Sequence, residues 1–312
     1  MLATNARTFS IEPRGPFDWS TAVDVFGRFG PTSRHAPKDG VLRLAFPLDG
    51  TFEPVAIALR FEDGVLMGEV AGTEDVDAVT AQVARIFSLD VDASAYPDLA
   101  RRDPALAPVM AAFPGLRPVC FTSPYETAAW AILSARISMA QAARVQDRLI
   151  ADLGTRLEVA GEDVWSFPTP ERLLELRELP GAAPEKVVRL RGVAQAALDG
   201  RLDVARLRAL GDVDGPASLL GIRGIGPFWS AGIYLRGCGI ADVFPDEPLA
   251  IAALGRLHGL GDQPDPAVVA GLTERYAPFR MWVCFLLRVA AGRGIIPGVA
   301  GREMAIRRAP RA

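Results

Sequence analysis

Leu219-Leu220-Gly221-Ile222-Arg223-Gly224-Ile225-Gly226-Pro227-Phe228-Trp229-Ser230-Ala231 is followed, after a short gap, by Phe244-Pro245-Asp246-Glu247-Pro248-Leu249. The first stretch reads as a short apolar helix that ends at Gly221, a tight turn through Gly224, Ile225 and Gly226, and a new helix opened by Pro227. Proline at the first helical position loses nothing, because that N–H has no intrahelical partner. Glycines at such a turn let the backbone approach a ligand closely, and the new helix leaves its first N–H groups pointing outward. That arrangement suits a phosphate. In the second stretch, Asp246 falls where a further helix should begin.

A phosphate-binding hairpin followed by a carboxylate at a helix start resembles the helix-hairpin-helix DNA glycosylase superfamily. Its members carry a Gly-apolar-Gly hairpin, a helix, a variable loop, and a catalytic Asp with an aliphatic residue three positions on. In this chain those places are held by Gly224-Ile225-Gly226, the helix from Pro227 to about Arg236, the loop 237–243, Asp246 and Leu249. Gly-Ile-Gly alone recurs by chance, and by itself it is an ordinary helix–helix turn. The hairpin, the helix and the placed Asp together carry the resemblance.

Composition agrees with a globular enzyme. Half of the 312 residues are hydrophobic, enough for a sizeable core without staples. No apolar run approaches the ~20 residues that span a bilayer, and Met1-Leu2-Ala3-Thr4-Asn5-Ala6-Arg7 lacks the apolar region of a signal peptide. A cytoplasmic protein is expected, nucleoid-associated when on DNA. Cys120, Cys238 and Cys284 stand apart in apolar surroundings and read as reduced core thiols. They cannot form the four-Cys cluster that some relatives use for iron–sulfur. With His35 and His258 each isolated in sequence, no metal centre and no cofactor are expected. Whether a monovalent cation bridges the hairpin to phosphate stays open.

Net charge is −3, low for a DNA-binding protein, whose nonspecific affinity comes largely from phosphate neutralisation. Backbone N–H groups and a local Arg patch can still grip a strand, but tight coating of DNA is disfavoured. The only lysines are Lys38 and Lys186. A monomer is expected, with no membrane partner.

The sequence divides near residue 115. Before it, a helix is expected from Asp18 to Phe29, and three strands over 41–47, 53–61 and 64–70, punctuated by Asp49-Gly50 and Asp63-Gly64. A helix from Asp77 to Phe87 follows through Val76, Val79, Val83 and Ile86. This is an α+β domain over 1–115, a small antiparallel sheet with helices. Residues 116–300 read as nearly all helix. Ser123…Glu126 and Ser138…Gln141 have the pattern of capping boxes, and Thr169-Pro170, Pro184, Pro216, Pro227, Pro248, Pro266 and Pro278 mark further starts. The tail 301–312 reads as loose.

That order, α+β then helical with the hairpin inside, resembles the bacterial inducible 3-methyladenine DNA glycosylases (glycosylase II). The likeness runs from Pro16-Phe17-Asp18-Trp19 to Tyr276-Ala277-Pro278-Phe279-Arg280. It implies double-stranded DNA with damaged bases as the substrate, extruded base by base into a pocket. A base alkylated at N3 or N7 is cationic and already a good leaving group. What helps is a carboxylate opposing the positive sugar of an oxocarbenium-like transition state, and the resemblance gives that role to Asp246. Capping a helix is the ordinary role of an Asp in that place. Glu247 ranks second, because Leu249 then falls two residues on.

Stacking and cation–π attraction favour aromatic walls around a cationic base. The resemblance puts them at Phe228 and Phe279, with Trp229 and Trp282 beside them and Tyr234, Tyr276 and Trp130 as further candidates. For any one aromatic, core packing is the ordinary role. Bifunctional relatives place a Schiff-base Lys four residues after the first hairpin Gly; Phe228 stands there and cannot form an imine. A monofunctional enzyme without lyase activity is implied. After Ala131-Ile132-Leu133-Ser134, where relatives show Gln and a wedge residue, the chain has Ala135 and Arg136. Arg136 can plug the stack through its planar guanidinium, or be a solvated loop residue. Arg223 joins Gly224, Ile225 and Gly226 as a DNA-binding candidate, and Arg101, Arg102, Arg117, Arg280 and Arg288 are scattered cations. Two other readings stand beside the preferred one: a noncatalytic or weakly active DNA-binding relative, and a glycosylase for another lesion such as uracil or an oxidised base.

Overall fold

The computed structural model describes residues 7–28 and 37–299. The first elements are β1 (Arg7–Ile11), α1 (Trp19–Arg28), β2 (Leu42–Pro47), β3 (Pro54–Glu62), β4 (Val65–Ala71) and α2 (Val76–Ile86). Short helices α3 (Leu99–Arg102) and α4 (Ala107–Ala112) precede α5 (Pro124–Ser134) and α6 (Met139–Leu153). A hairpin of β5 (Thr155–Val159) and β6 (Glu162–Ser166) leads to α7 (Pro170–Leu174), α8 (Pro184–Leu198) and α9 (Val204–Leu219). The chain ends in α10 (Pro227–Gly232), α11 (Pro248–Leu257), α12 (Pro266–Thr273) and α13 (Arg280–Gly292). None of these helices is long and apolar enough to cross a membrane. The expected α+β beginning and helical remainder are both present. Residue 29, His35 and the tail 301–312 lie outside the described residues.

The chain packs into two compact units that do not follow the sequential cut near residue 115. One comprises the residues up to Pro13, Ala22–Asp90 and Val119–Gly239; the other comprises Arg14–Thr21, Val91–Pro118 and the chain from Ile240 onward. A composition shift cannot reveal this, because each unit is assembled from separate stretches of chain.

The first unit is built on an antiparallel sheet of order β1-β4-β3-β2. β3 and β4 are joined through Asp63 and Gly64, with φ of 49° and 83°, the paired left-handed turn that matches strand twist. β1 is a strand the sequence reading did not anticipate; it pairs Phe9 with Gly68, where a Cβ would lie 2.2 Å from the Phe9 ring. Alternation sorts the sheet's two faces. Leu42, Leu44 and Phe46 share one face, while Val41, Ala45, Ala56 and Ala58 share the other and pack against Val159, Leu157 and Val164 of the β5–β6 hairpin.

That hairpin interrupts the region expected to be all helix. Its signal was present: Leu157, Val159 and Val164 alternate with polar residues, and the turn at Ala160 (φ 46°) and Gly161 (φ 72°) repeats the β3–β4 geometry.

Helix starts follow the expected caps. Ser138 and Gln141 form a reciprocal capping box on α6. Ser123 accepts the Glu126 N–H at the start of α5, and Thr169 caps α7. Pro216 does not open the first hairpin helix; it lies within α9, beyond a break at Gly211 (φ 78°). In the same unit, the buried Arg85 guanidinium donates to Asp49 Oδ2 and Thr122 O, each at 2.6 Å, to Phe121 O at 3.3 Å, and to Gly237 O.

The second unit gathers α3, α4, α11, α12 and α13. Its interior holds Tyr96, Phe279 and Trp282, with ring centroids 5.2–5.4 Å apart. Arg117, one of the scattered cations, is 1% exposed. It donates to the carbonyls of Arg14, Gly15, Pro16 and Val91 and lies 5.5 Å from the Trp282 ring centre. It is an internal strut and is not placed to meet phosphate.

Candidate functional site

The hairpin belongs to the first unit. Ile225 N–H donates to Ile222 O at 3.0 Å, and Ser230 N–H closes the first turn of α10 on Gly226 O at 2.8 Å. α10 then widens into a π-helical turn over Ile233–Gly237. Ile225 is buried, whereas Gly224, Gly226 and Phe228 are exposed.

The two glycines differ in kind. Gly224 has φ +95°, and a Cβ there would lie 2.8 Å from Ile132 Cδ1 and from Arg189 Cδ, so the fold requires glycine. Gly226 has φ −100°, and nothing lies within 4 Å of where its Cβ would stand. No packing inside the protein asks for glycine at 226, and the N–H groups that open α10 lie beside that open space. Arg223 Nη2 pairs with Glu185 Oε1 at 2.9 Å, at the start of α8.

Phe228 is 61% exposed and meets Trp229 edge-on, centroids 5.5 Å apart. Trp229, expected beside the base, instead packs against a buried cluster of Phe121, Trp130 and Ala142, which Ile137 also joins. Ile137 follows Arg136, so the hairpin helix and the loop after α5 rest on one apolar cluster. Arg136 itself is exposed and has φ 59°, a left-handed conformation uncommon for a residue with a side chain.

Asp246 belongs to the second unit. It was expected at a helix start, but the residue that caps α11 is Glu247, whose Oε2 accepts the Ala250 N–H at 2.6 Å. Glu247 Oε1 also lies 3.9 Å from Arg288 Nη1. The cap of α11 is thus taken by Glu247. Asp246, one residue ahead, is exposed and has neither hydrogen bond nor ion pair among the described residues.

Phe279 and Trp282, the other expected walls, are 1% and 2% exposed. They open α13 and face inward against Tyr96, so neither offers a surface to stack upon, contrary to the expectation. Tyr276, Tyr234 and Trp130 are likewise interior. The Tyr276 and Tyr234 hydroxyls donate to Asp103 and Asp212. Burial, with the acceptor Asp103, holds the Tyr276 phenol far above its ordinary value. Arg280 pairs with Asp242 at 3.3 Å, and Arg101 with Asp98 at 2.6 Å. Arg102 donates to the carbonyls of Arg275 and Ala277.

The three cysteines are free and buried. Among the described residues no group of His, Cys, Asp or Glu is arranged to hold a metal. His258, isolated in sequence, meets Asp103 Oδ2 at 3.0 Å through Nε2.

Over 288 residues the chain is 33% identical to the DNA-3-methyladenine glycosylase 2 of Escherichia coli (strain K12), covering 88% of this chain and 94% of that one. The chain belongs to this helix-hairpin-helix DNA glycosylase family. It is a DNA glycosylase of base excision repair. The DNA-3-methyladenine glycosylase of Bacillus subtilis (strain 168) is 27% identical over 208 residues, 63% of this chain and 68% of that one. The fold is shared with the 3-methyladenine DNA glycosylase from Archaeoglobus fulgidus at TM-score 0.75, with 22% identity over 90% of this chain and 97% of the other. No protein-family model matches the chain.

The sequence reading of this glycosylase missed what braces the hairpin. Glu185 forms ion pairs with both Arg223 and Arg189, and Lys186 donates to Leu133 O at 2.6 Å. One available signal was that Lys186 is one of only two lysines in a chain otherwise supplied with arginine.

Proposed function

We propose that this glycosylase is monofunctional and releases cationic alkylated bases of the 3-methyladenine type by hydrolysis of the N-glycosidic bond. The observation that carries the reading is the exposed carboxylate of Asp246, with no partner among the described residues, beside a Glu247 already engaged in capping. The C1′–N bond breaks with its electron pair going to the base, which leaves neutral because it began as a cation. Asp246 opposes the positive charge left on the sugar, and water adds at C1′ and passes a proton to solvent. A carboxylate already tied into a cap would be less free to follow that charge.

The hairpin grips the DNA backbone through N–H groups at Gly224 and Gly226 and through the start of α10. Phe228 offers an exposed aromatic face to a base, and Arg136 fills the stack that the base vacates. Phe228 occupies the place of the Schiff-base Lys, so the enzyme leaves the abasic strand uncut. A monomer suffices, since each role is assigned within one chain.

The test is incubation with separate duplexes bearing 3-methyladenine, 1,N6-ethenoadenine, hypoxanthine and uracil, read before and after alkali. Release of 3-methyladenine, strand cleavage only after alkali, and no borohydride-trapped adduct are expected. Release of uracil alone, or an adduct trapped by borohydride, overturns the reading.

A further inference from the structure

Helix α5 ends beside the hairpin, and the loop carrying Arg136 springs from that end. The last carbonyls of a helix lack intrahelical partners and carry the negative end of its dipole. Here one of them, Leu133 O, receives the Lys186 ammonium at 2.6 Å. The neighbouring Glu185 takes Arg223 of the hairpin at 2.9 Å. Two consecutive residues at the start of α8 therefore reach in two directions, one to the hairpin and one to the root of the loop. Gly224 completes the frame: only the missing Cβ lets it sit against Ile132, one residue before Leu133.

From Leu133 the chain runs three residues to Arg136, then into Ile137, which joins the cluster beneath Trp229, and Ser138, locked in its capping box. The left-handed backbone at Arg136 persists only if both sides of it are held. Ile137 and Ser138 hold the far side, and Lys186 holds the near side. Partial burial, with Arg189 close by, draws the Lys186 ammonium below its ordinary value, as expected for a cation turned from water toward a carbonyl.

We infer that Lys186 is a positioning residue for base extrusion: by clamping the Leu133 carbonyl it keeps the Arg136 loop in register with the phosphate-gripping hairpin. The inference rests on the reading of Arg136 as the group that fills the vacated stack. Lys186 touches neither base nor sugar in this scheme and acts through Arg136.

The experiment compares Lys186→Met, Lys186→Arg, Arg136→Ala and the double variant Lys186→Met/Arg136→Ala. Each is assayed for release of methylated adenine from duplex and from single-stranded DNA, and for thermal unfolding. Single strands have little stacking to replace, so the ratio of duplex to single-strand excision isolates extrusion. In Lys186→Met that ratio is expected to fall about tenfold, the scale of one charge-assisted hydrogen bond. It should return in Lys186→Arg, which keeps the donor, and fall no further in the double variant than in Arg136→Ala, because both act on one step. If Lys186→Met does not fold, Lys186→Gln, whose shorter stem falls short of Leu133, takes its place with the same expected loss.

A ratio unchanged in Arg136→Ala overturns the wedge reading and this inference with it. A ratio lowered in Arg136→Ala but unchanged in Lys186→Met overturns the role of Lys186 alone, as do strictly additive losses in the double variant.

Discussion

Glu247 caps helix α11 through a 2.6 Å hydrogen bond from Ala250 N–H, and Asp246, its neighbour, stands exposed with no partner among the described residues. On the proposed mechanism, adjacent carboxylates divide two tasks that compete for any acid at a helix start. Asp246→Asn, nearly isosteric, is expected to abolish base release while DNA affinity changes less than about twofold, well under the tenfold that 1.4 kcal/mol represents. Glu247→Ala should instead lower stability by about 1 kcal/mol, the usual cost of a lost cap. Single-turnover excision and urea denaturation on the two variants check the division. Full excision by Asp246→Asn together with loss in Glu247→Gln transfers the chemistry to Glu247.

The hairpin glycines should separate fold from function. Gly224→Ala forces a side chain into a left-handed backbone already crowded by Ile132 and Arg189, with an expected destabilisation of about 1–3 kcal/mol. Gly226→Ala meets open space at φ −100° and should unfold at the wild-type temperature. It should still weaken binding to damaged and undamaged duplexes alike, because phosphate contacts carry no sequence information. Undiminished binding by a folded Gly226→Ala protein removes the hairpin from the interface.

The aromatic candidates are distinguished by exposure. Phe228→Ala truncates a ring that is 61% exposed and should shift stability by less than about 0.5 kcal/mol, yet reduce excision. Phe279→Ala empties a packed site beside Tyr96 and Trp282 and should cost about 3–5 kcal/mol. Thermal melts set against excision rates decide; a Phe228→Ala enzyme of full activity excludes Phe228 from base contact.

Arg85 should be indispensable to folding. It is 3% exposed, pairs with Asp49, and satisfies carbonyls of residues 121, 122 and 237. Arg85→Met strands Asp49 and those carbonyls, with an expected loss of about 3–5 kcal/mol. Adding Asp49→Asn should restore part of it, as chemical denaturation would show. A loss below about 1 kcal/mol, typical of a surface pair, would overturn this account.

Much of this protein was legible where information is local. The Asp63-Gly64 turn, the Ser138 and Gln141 capping box, the proline starts of α8, α10, α11 and α12, and the hairpin at Gly224-Ile225-Gly226 are each written within a few consecutive residues. Turns and caps obey rules of adjacent backbone, so sequence alone determines them. It did the same for the α+β beginning, the helical remainder and the placement of Asp246 just ahead of a helix. Tertiary structure alone decided which groups face water. A Phe reads the same at 228 and 279, but one is exposed and the other is sealed beside Tyr96. Arg117 reads as one more surface cation and proves to be a strut for four carbonyls. Glu247 rather than Asp246 takes the Ala250 N–H because of how the chain enters α11, and Lys186 finds Leu133 across a separation of 53 residues. Burial and long-range pairing depend on chain segments that meet only on folding, and no short window of sequence contains both partners.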